Sequence, residues 1–174
     1  MRTIPPHIYS EKVIQKAVAN WCIQKGHSHV VPNCGVFGWE ADLLSVTAGL
    51  FMHEYEIKIS KSDFRADKHK THKHRHFQHP GISKYYQQPS TPAHFWYVCP
   101  AELAKQILSE IPVHAGLIAL IDYRDKFNNI SYFMQVLKKA PRLHDIQASD
   151  RQLSYISRGL MLRYWGQPER LDEN

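Results

Sequence analysis

The pair of strand-like segments between Trp39 and Ile59 constrains the fold most. Trp39–Val46 alternates in polarity and Leu50–Ile59 does the same, which is typical of half-buried strands. Thr47-Ala48-Gly49 lies between them and has the composition of a hairpin turn. Two strands joined this closely pair antiparallel, so the sequence predicts a β-hairpin.

The remaining elements surround this hairpin. Ser10 is a candidate N-cap for a helix that ends near Lys25, where Gly26 stops it. Asn33–Gly38 has the composition of a loop or short strand. The pattern of the later part of the chain predicts five further elements, in the order strand, helix, strand, strand and helix. They cover His94–Cys99, Ala101–Ile111, Gly116–Asp122, Ile130–Lys138 and Asp150–Trp165.

This order combines an antiparallel hairpin with strand–helix–strand crossovers. We therefore expect an α/β fold, a sandwich in which a central mixed β-sheet is flanked by helices. A chain of 174 residues can bury a real core, so a single domain over residues 1–174 is expected. The sequence has no apolar run of the ~20 residues that span a bilayer, no signal peptide and no paired cysteine motif, which predicts a cytoplasmic protein with reduced thiols.

Positive charge is concentrated in one part of the chain. The formal net charge is +6, and the segment Lys58–Lys84, called here the basic segment, carries eight Lys or Arg against two acids. A helix that starts near Ser60 or Ser62 is expected to carry much of it. Such a segment is typical of nucleic-acid binding, with a solvated surface as the alternative. The candidate nucleic-acid contacts are Lys61, Arg65, Lys68, Lys70, Lys73, Arg75, Lys84 and Tyr85.

Five histidines lie in the basic segment, namely His69, His72, His74, His76 and His79. His72 and His76 have the helical spacing at which two imidazoles can share a metal ion. Lysines and arginines alternate with the histidines, and no cysteine or acid completes a four-ligand site. Phosphate contacts are therefore favoured over structural zinc, and a histidine-rich metal-binding protein remains an alternative.

Acidic side chains share one face of the predicted hairpin. Glu54, Glu56 and Lys58 alternate along the second strand, and Asp42 on the first strand can face them. Crowded carboxylates destabilise a half-buried sheet unless a cation binds them, and Mg²⁺ prefers such oxygen ligands. The alternative is the solvated face of an edge strand, in which Glu56 and Lys58 offset each other.

The arrangement of these residues resembles a known superfamily. Asp42, a turn and Glu56-Ile57-Lys58 on the returning strand, after a helix that bears Glu11, resemble the PD-(D/E)XK nucleases. The stretch EIKISKSDFRAD (Glu56–Asp67) is similar to the one that follows the catalytic strand in MmcB-like DNA-repair nucleases. Only this region and the preceding hairpin are specific.

The resemblance implies a restriction-endonuclease-like fold and a Mg²⁺-dependent nuclease, with Mn²⁺ as a substitute. It implies that Asp42 and Glu56 bind the metal, that the Ile57 carbonyl completes its shell and that Lys58 is the catalytic lysine. Glu11 would position a water or a second metal. The substrate would be DNA, in repair, recombination or phage DNA processing, cut by a monomer or a homodimer.

One position departs from the family pattern. Glu40-Ala41-Asp42 stands where the superfamily has Pro-Asp, which leaves Glu40 as an extra metal ligand or a bystander. Members of the superfamily also include proteins that bind DNA without cutting it. A catalytically inactive nucleic-acid-binding module is therefore the alternative function. No glycine-rich phosphate loop or recognition-helix motif indicates a nucleotide-driven motor or a transcription factor.

Overall fold

A computed structural model describes residues 9–67, 69–83, 87–124 and 129–166. Within these ranges the helices are α1 (Glu11–Gln24), α2 (Lys61–Asp67), α3 (Thr71–Gln78), α4 (Ala101–Ile107), which continues into a 3-10 turn at Leu108–Glu110, and α5 (Asp150–Trp165). The strands are β1 (His29–Cys34), β2 (Ala41–Val46), β3 (Met52–Ile57), β4 (His94–Pro100), β5 (Ala115–Arg124) and β6 (Ile130–Lys138). Among the described helices, none is both long enough and apolar enough to cross a bilayer.

The strands form one mixed sheet in the order β1-β2-β3-β4-β5-β6. The β3–β4 and β4–β5 pairs are parallel, and the other neighbouring pairs are antiparallel. In the hairpin, Leu43 lies opposite Tyr55 and Leu44 opposite Glu54. The α/β class, the central mixed sheet flanked by helices and the predicted hairpin are therefore confirmed.

Helix α1 covers one face of the sheet. It begins where the Ser10 side chain accepts a hydrogen bond from the Val13 backbone N–H at 3.3 Å, which satisfies a donor that has no partner within the helix. Its buried residues Ile14 and Val18 pack in a core with Tyr55 and other strand residues. Removing these apolar side chains from water is the main force that holds the helix on the sheet.

Helices α2, α3 and α4 contribute to a second apolar core. It contains Phe64 of α2, Phe77 of α3 and Ile107 of α4, packed with Phe95 and Tyr97 of β4. Because β4 is central and is apolar on both sides, it joins the two cores. This packing fixes α2 and α3 beside the end of β3, where the predicted site lies.

Two features differ from the sequence prediction. Strand β1 begins at His29, before the segment Asn33–Gly38 that was expected as a loop or short strand. As an edge strand it tolerates Pro32, which has no backbone N–H. The basic segment forms two helices rather than one. Turn hydrogen bonds from the Lys70 N–H to the Asp67 carbonyl and from the Thr71 N–H to the His69 carbonyl replace the helical pattern between them.

Candidate active site

The predicted site lies where β2 begins and β3 ends. The Asp42 carboxylate accepts a hydrogen bond from the Ile57 backbone N–H at 2.7 Å. Beyond the last residue of β3, the Lys58 backbone N–H donates to the Val98 carbonyl at 2.9 Å and continues the pairing with β4. The Lys58 ammonium then folds back onto Glu56, with Nζ 2.8 Å from Oε1. The structure thus brings Asp42, Glu56 and Lys58 together.

The described residues compensate the charge of Asp42 only in part. Burial raises its pKa to about 6, and the nearby Glu56 carboxylate adds to this rise. The Ile57 N–H and the Lys58 ammonium lower the pKa by less, and exposed Glu11 on α1 raises it further. A cation bound beside this carboxylate would relieve the repulsion.

Glu56 is in the opposite situation. Its Oε1 accepts hydrogen bonds from Lys58 at 2.8 Å and Lys70 at 2.9 Å, and its Oε2 accepts one from Lys73 at 2.6 Å. Burial raises the pKa of Glu56, but Lys73 and Lys58 outweigh it and hold the pKa below its usual value. The carboxylate is therefore ionised and buried, with three ammonium groups around it.

Glu54 belongs to the same group of charges. It is fully buried, lies 2.6 Å from Lys73 Nζ and accepts a hydrogen bond from Trp39 Nε1. A buried charge without a partner strongly destabilises the folded state, so the Lys73 ammonium is required to compensate both Glu54 and Glu56. The sequence prediction gave Glu54 no role, although its alternation with Glu56 was visible.

Asp67 closes this group of charges at the end of α2. Its Oδ2 accepts hydrogen bonds from the Tyr97 hydroxyl at 2.6 Å and from His74 Nε2 at 3.0 Å. Burial raises the Asp67 pKa, but these bonds and the nearby Lys58 hold it well below its usual value. Oδ1 accepts no hydrogen bond from the described residues and lies 3.1 Å from Lys70 Nζ.

Six residues thus form what is called here the carboxylate–lysine cluster: Glu54, Glu56, Asp67, Lys58, Lys70 and Lys73. Three acids meet three lysines, so the cluster is neutral. The sequence prediction missed the contact between Asp67 and His74, because seven positions and a helix break separate the two residues. Asp67 is the last residue of α2 and lies within ion-pair distance of Lys58 and Lys70.

Helix α3 divides the basic segment into two faces. Lys73, His74 and Phe77 form the inner face and are buried against the sheet. The outer face consists of His72, Arg75, His76 and His79, which line a shallow depression. Local charge alternation in the sequence does not distinguish the two faces, because lysines and histidines occur on both.

The residues predicted to contact nucleic acid differ in the same way in their exposure and ion pairing. Lys73 is 4% exposed and bound to two carboxylates, which corrects the prediction that it contacts nucleic acid. Lys61 and Arg65 approach Glu110 at 3.2 and 3.7 Å. Lys70 and Arg75 keep exposed side chains. Lys68, Lys84 and Tyr85 lie outside the described residues.

The oxygen donors fit a hard divalent cation better than zinc. Within the described ranges, no three or more Asp, Glu, His or Cys side chains gather as a metal site. Asp42 and Glu56 supply two carboxylates, which suffice for Mg²⁺ because it keeps several waters and binds substrate phosphates. A closed zinc site needs four protein ligands. Glu40 and Glu11 both have exposed side chains near this edge.

The chain is similar in structure to SPO1766, a protein of unknown function from Silicibacter pomeroyi. The TM-score is 0.59 with 14% sequence identity, and the similarity covers 94% of this chain and 91% of that one. At this identity the likeness concerns the fold alone. No protein-family model matches the chain, and no curated protein is similar to it in sequence.

Proposed function

We propose that the protein is a metal-dependent nuclease that hydrolyses DNA phosphodiester bonds, with Asp42, Glu56 and Lys58 at its centre. The observation that carries the proposal is the Asp42 carboxylate beside Glu56, whose charge is only partly compensated. A half-buried acid whose pKa is raised by burial and by a second acid is a candidate functional residue. The resemblance of the hairpin to PD-(D/E)XK nucleases supports the same assignment.

Asp42 and Glu56 are the residues that would hold Mg²⁺, or Mn²⁺ in its place, with the Ile57 carbonyl as a further donor. The bound ion would polarise the scissile phosphate and lower the pKa of an attacking water. Lys70 is half-exposed and is the ammonium best placed to leave Glu56 when a cation arrives. Glu40, exposed and ahead of β2, is assigned no part.

Lys58 acts through its ammonium. Glu56 holds Nζ at 2.8 Å, and Asp63 and Asp67 lie 3.7 Å away, so the side chain is fixed before substrate binds. A pre-positioned positive charge stabilises the negative charge that develops on the phosphate oxygens during attack. Lys70 and Arg75 would contact the neighbouring phosphates, which orient the strand without reading its sequence.

One observation favours a second candidate function. Both oxygens of Glu56 already accept hydrogen bonds from lysines, and the carboxylate–lysine cluster is neutral without a metal. A protein that retained this fold only to bind nucleic acid would benefit from such internal compensation. The second candidate is therefore a non-cutting nucleic-acid-binding module.

The test is cleavage of labelled single-stranded, duplex and branched DNA in Mg²⁺, Mn²⁺ or EDTA. Wild type is compared with Asp42→Ala and Lys58→Ala, and Glu40→Ala is the matched acidic control. We expect metal-dependent cleavage that the first two substitutions abolish and the control retains. Binding without cleavage on every substrate would support the second candidate, and neither binding nor cleavage would contradict both.

We place this activity in the cytoplasm. Cys22, Cys34 and Cys99 are all free and buried, which suits a reducing compartment. Roles in DNA repair, recombination or phage DNA processing are all consistent with phosphodiester hydrolysis.

A further inference from the structure

Two histidines on the outer face of α3 point at one another. The Nε2 atoms of His72 and His76 are 3.3 Å apart, the ring centroids are 4.6 Å apart and the ring planes meet at 64°. The residues lie one helical turn apart, so their side chains stand one above the other on the same face. His72 is exposed and His76 is half-buried, which leaves the space between them open to solvent.

This separation matches the geometry of a metal chelate. Zinc lies about 2.05 Å from an imidazole nitrogen, and two nitrogens on a tetrahedral ion are therefore about 3.3 Å apart. The same 3.3 Å contact is a long hydrogen bond between the two ring nitrogens, and an ion bound there would replace the shared proton. The rings thus hold the spacing of two ligands on one ion.

We propose that His72 and His76 form a two-histidine chelate for a divalent transition-metal ion such as Zn²⁺. Imidazole suits zinc, copper and nickel, whereas Mg²⁺ prefers oxygen ligands, so this site is distinct from the one at Asp42. Water or an anion would occupy the remaining coordination positions. Arg75 lines the same depression and would attract such an anion, which offsets the repulsion between the guanidinium and the metal.

The bound ion would stabilise α3. The helix has eight residues, and its N-cap, Lys70, makes no side-chain capping bond. Helices this short are marginal unless packing or a cross-link holds them. A chelate between positions four residues apart staples one full turn. The opposite face of that turn carries Lys73 into the carboxylate–lysine cluster, so metal binding would reinforce the cluster.

His76 also connects the chelate to the cluster by packing. Its ring centroid lies 5.9 Å from that of Trp39, whose indole Nε1 donates to Glu54. A substitution at this position must keep an aromatic ring if packing is to be preserved. His76→Phe removes the ligand nitrogen and retains the ring, whereas His72 is exposed and can be replaced by alanine.

The test is calorimetric titration of the untagged, full-length protein with Zn²⁺ alone. Wild type, His72→Ala, His76→Phe and the control His79→Phe are compared, since His79 lines the same depression outside the pair. We expect one Zn²⁺ per wild-type chain, at least roughly tenfold weaker binding in the first two variants and unchanged binding in the control. Equal affinity in all four proteins, or no binding to wild type, would overturn the proposal.

Thermal unfolding gives an independent readout. An ion that binds the folded chain and not the unfolded one raises the Tm, and the rise increases with the ratio of the free ion concentration to its Kd. Zn²⁺ should raise the Tm of wild type and of His79→Phe equally, and should raise that of His72→Ala by less at the same concentration. An equal Tm rise in His72→Ala would place the zinc elsewhere and contradict the chelate. Neither measurement depends on DNA cleavage.

Discussion

The two faces of α3 show how differently one stretch of positive charge can be used. On the inner face, Lys73 is buried against Glu54 and Glu56, and His74 is bonded to Asp67. On the outer face, Arg75 and the neighbouring histidines line an open depression. The sequence distributes these residues almost evenly, so the sheet beneath the helix determines which of them are neutralised.

A basic segment is therefore not by itself evidence of a nucleic-acid-binding surface. Three of its lysines neutralise the buried acids Glu54, Glu56 and Asp67, which leaves few of the described charges free for phosphate. The least compensated charge among these carboxylates is instead that of Asp42.

The largest expected effect is on the inner face. Lys73→Met should lower the free energy of unfolding by about 3–5 kcal/mol, because it leaves two buried carboxylates short of a cation. Arg75→Met, two positions away on the outer face, should change it by no more than about 0.5 kcal/mol. Denaturant unfolding followed by circular dichroism measures both, and equal losses would break the distinction between the two faces.

Substitutions of a buried and an exposed histidine should also differ in their effect on the free energy of unfolding. His74→Phe removes a donor to the buried Asp67 and a partner of His114, and should cost about 1–3 kcal/mol of unfolding free energy. His72→Phe, exposed on the same helix, is the matched control and should cost little. The same denaturant titration, performed in EDTA to exclude metal binding, measures the free energy of unfolding of both variants. If His74→Phe left the free energy of unfolding unchanged, the buried hydrogen bonds of His74 would not contribute to stability.

Asp42→Asn should stabilise the protein. Burial and Glu56 raise the Asp42 pKa to about 6, so folding favours its protonated form. The cost of the charged form is absent below the ordinary pKa near 3.8 and complete once the pH has risen past 6. With allowance for solvent screening at this half-buried group, Asn should gain about 1–2 kcal/mol at pH 7.5.

The pH dependence provides the control for that prediction. The advantage of Asp42→Asn over wild type should shrink as the pH falls through 6 and vanish near pH 4, as measured by thermal unfolding in EDTA. An advantage that does not change with pH would mean that shape rather than charge is responsible. A loss of stability at pH 7.5 would show that the Asp42 carboxylate is compensated after all.

The smallest expected effect concerns the outer face. Arg75→Ala should weaken DNA binding modestly and reduce the slope of log K against log salt by about 1, because one phosphate contact is lost. Lys105→Ala, an exposed lysine of α4 that pairs with Glu102, should leave the slope unchanged. Fluorescence anisotropy at several salt concentrations measures both slopes, and identical slopes would remove Arg75 from the interface.

Local patterns predicted much of the fold. The alternation between Trp39 and Ile59 specified the hairpin, and the final helix begins and ends where its periodicity indicated. The β1 strand was obscured by Pro32, which the pattern rules exclude from central strands but not from edges. The break between α2 and α3 contains neither Pro nor Gly, so no local signal marked it.

The site was predicted less completely, for a physical reason. Strand alternation and hairpin register placed Asp42, Glu56 and Lys58 on one face, and the resemblance to PD-(D/E)XK nucleases selected them as a site. The burial of Lys73 depends on Glu54 and Glu56, which reach it across a helix break, and the Asp67–His74 pair depends on the same packing. Long-range charge pairing of this kind has no sequence period and becomes visible only in three dimensions.

The most direct test of the central claim is Mn²⁺ binding at Asp42, followed by electron paramagnetic resonance of the free ion. Wild type, Asp42→Asn and the matched control Glu40→Gln are titrated without DNA. We predict that Asn at position 42 weakens Mn²⁺ binding at least about tenfold while the Glu40 variant binds as wild type does. Undiminished binding by Asp42→Asn, or no binding by wild type, would contradict a metal-dependent nuclease centred on Asp42.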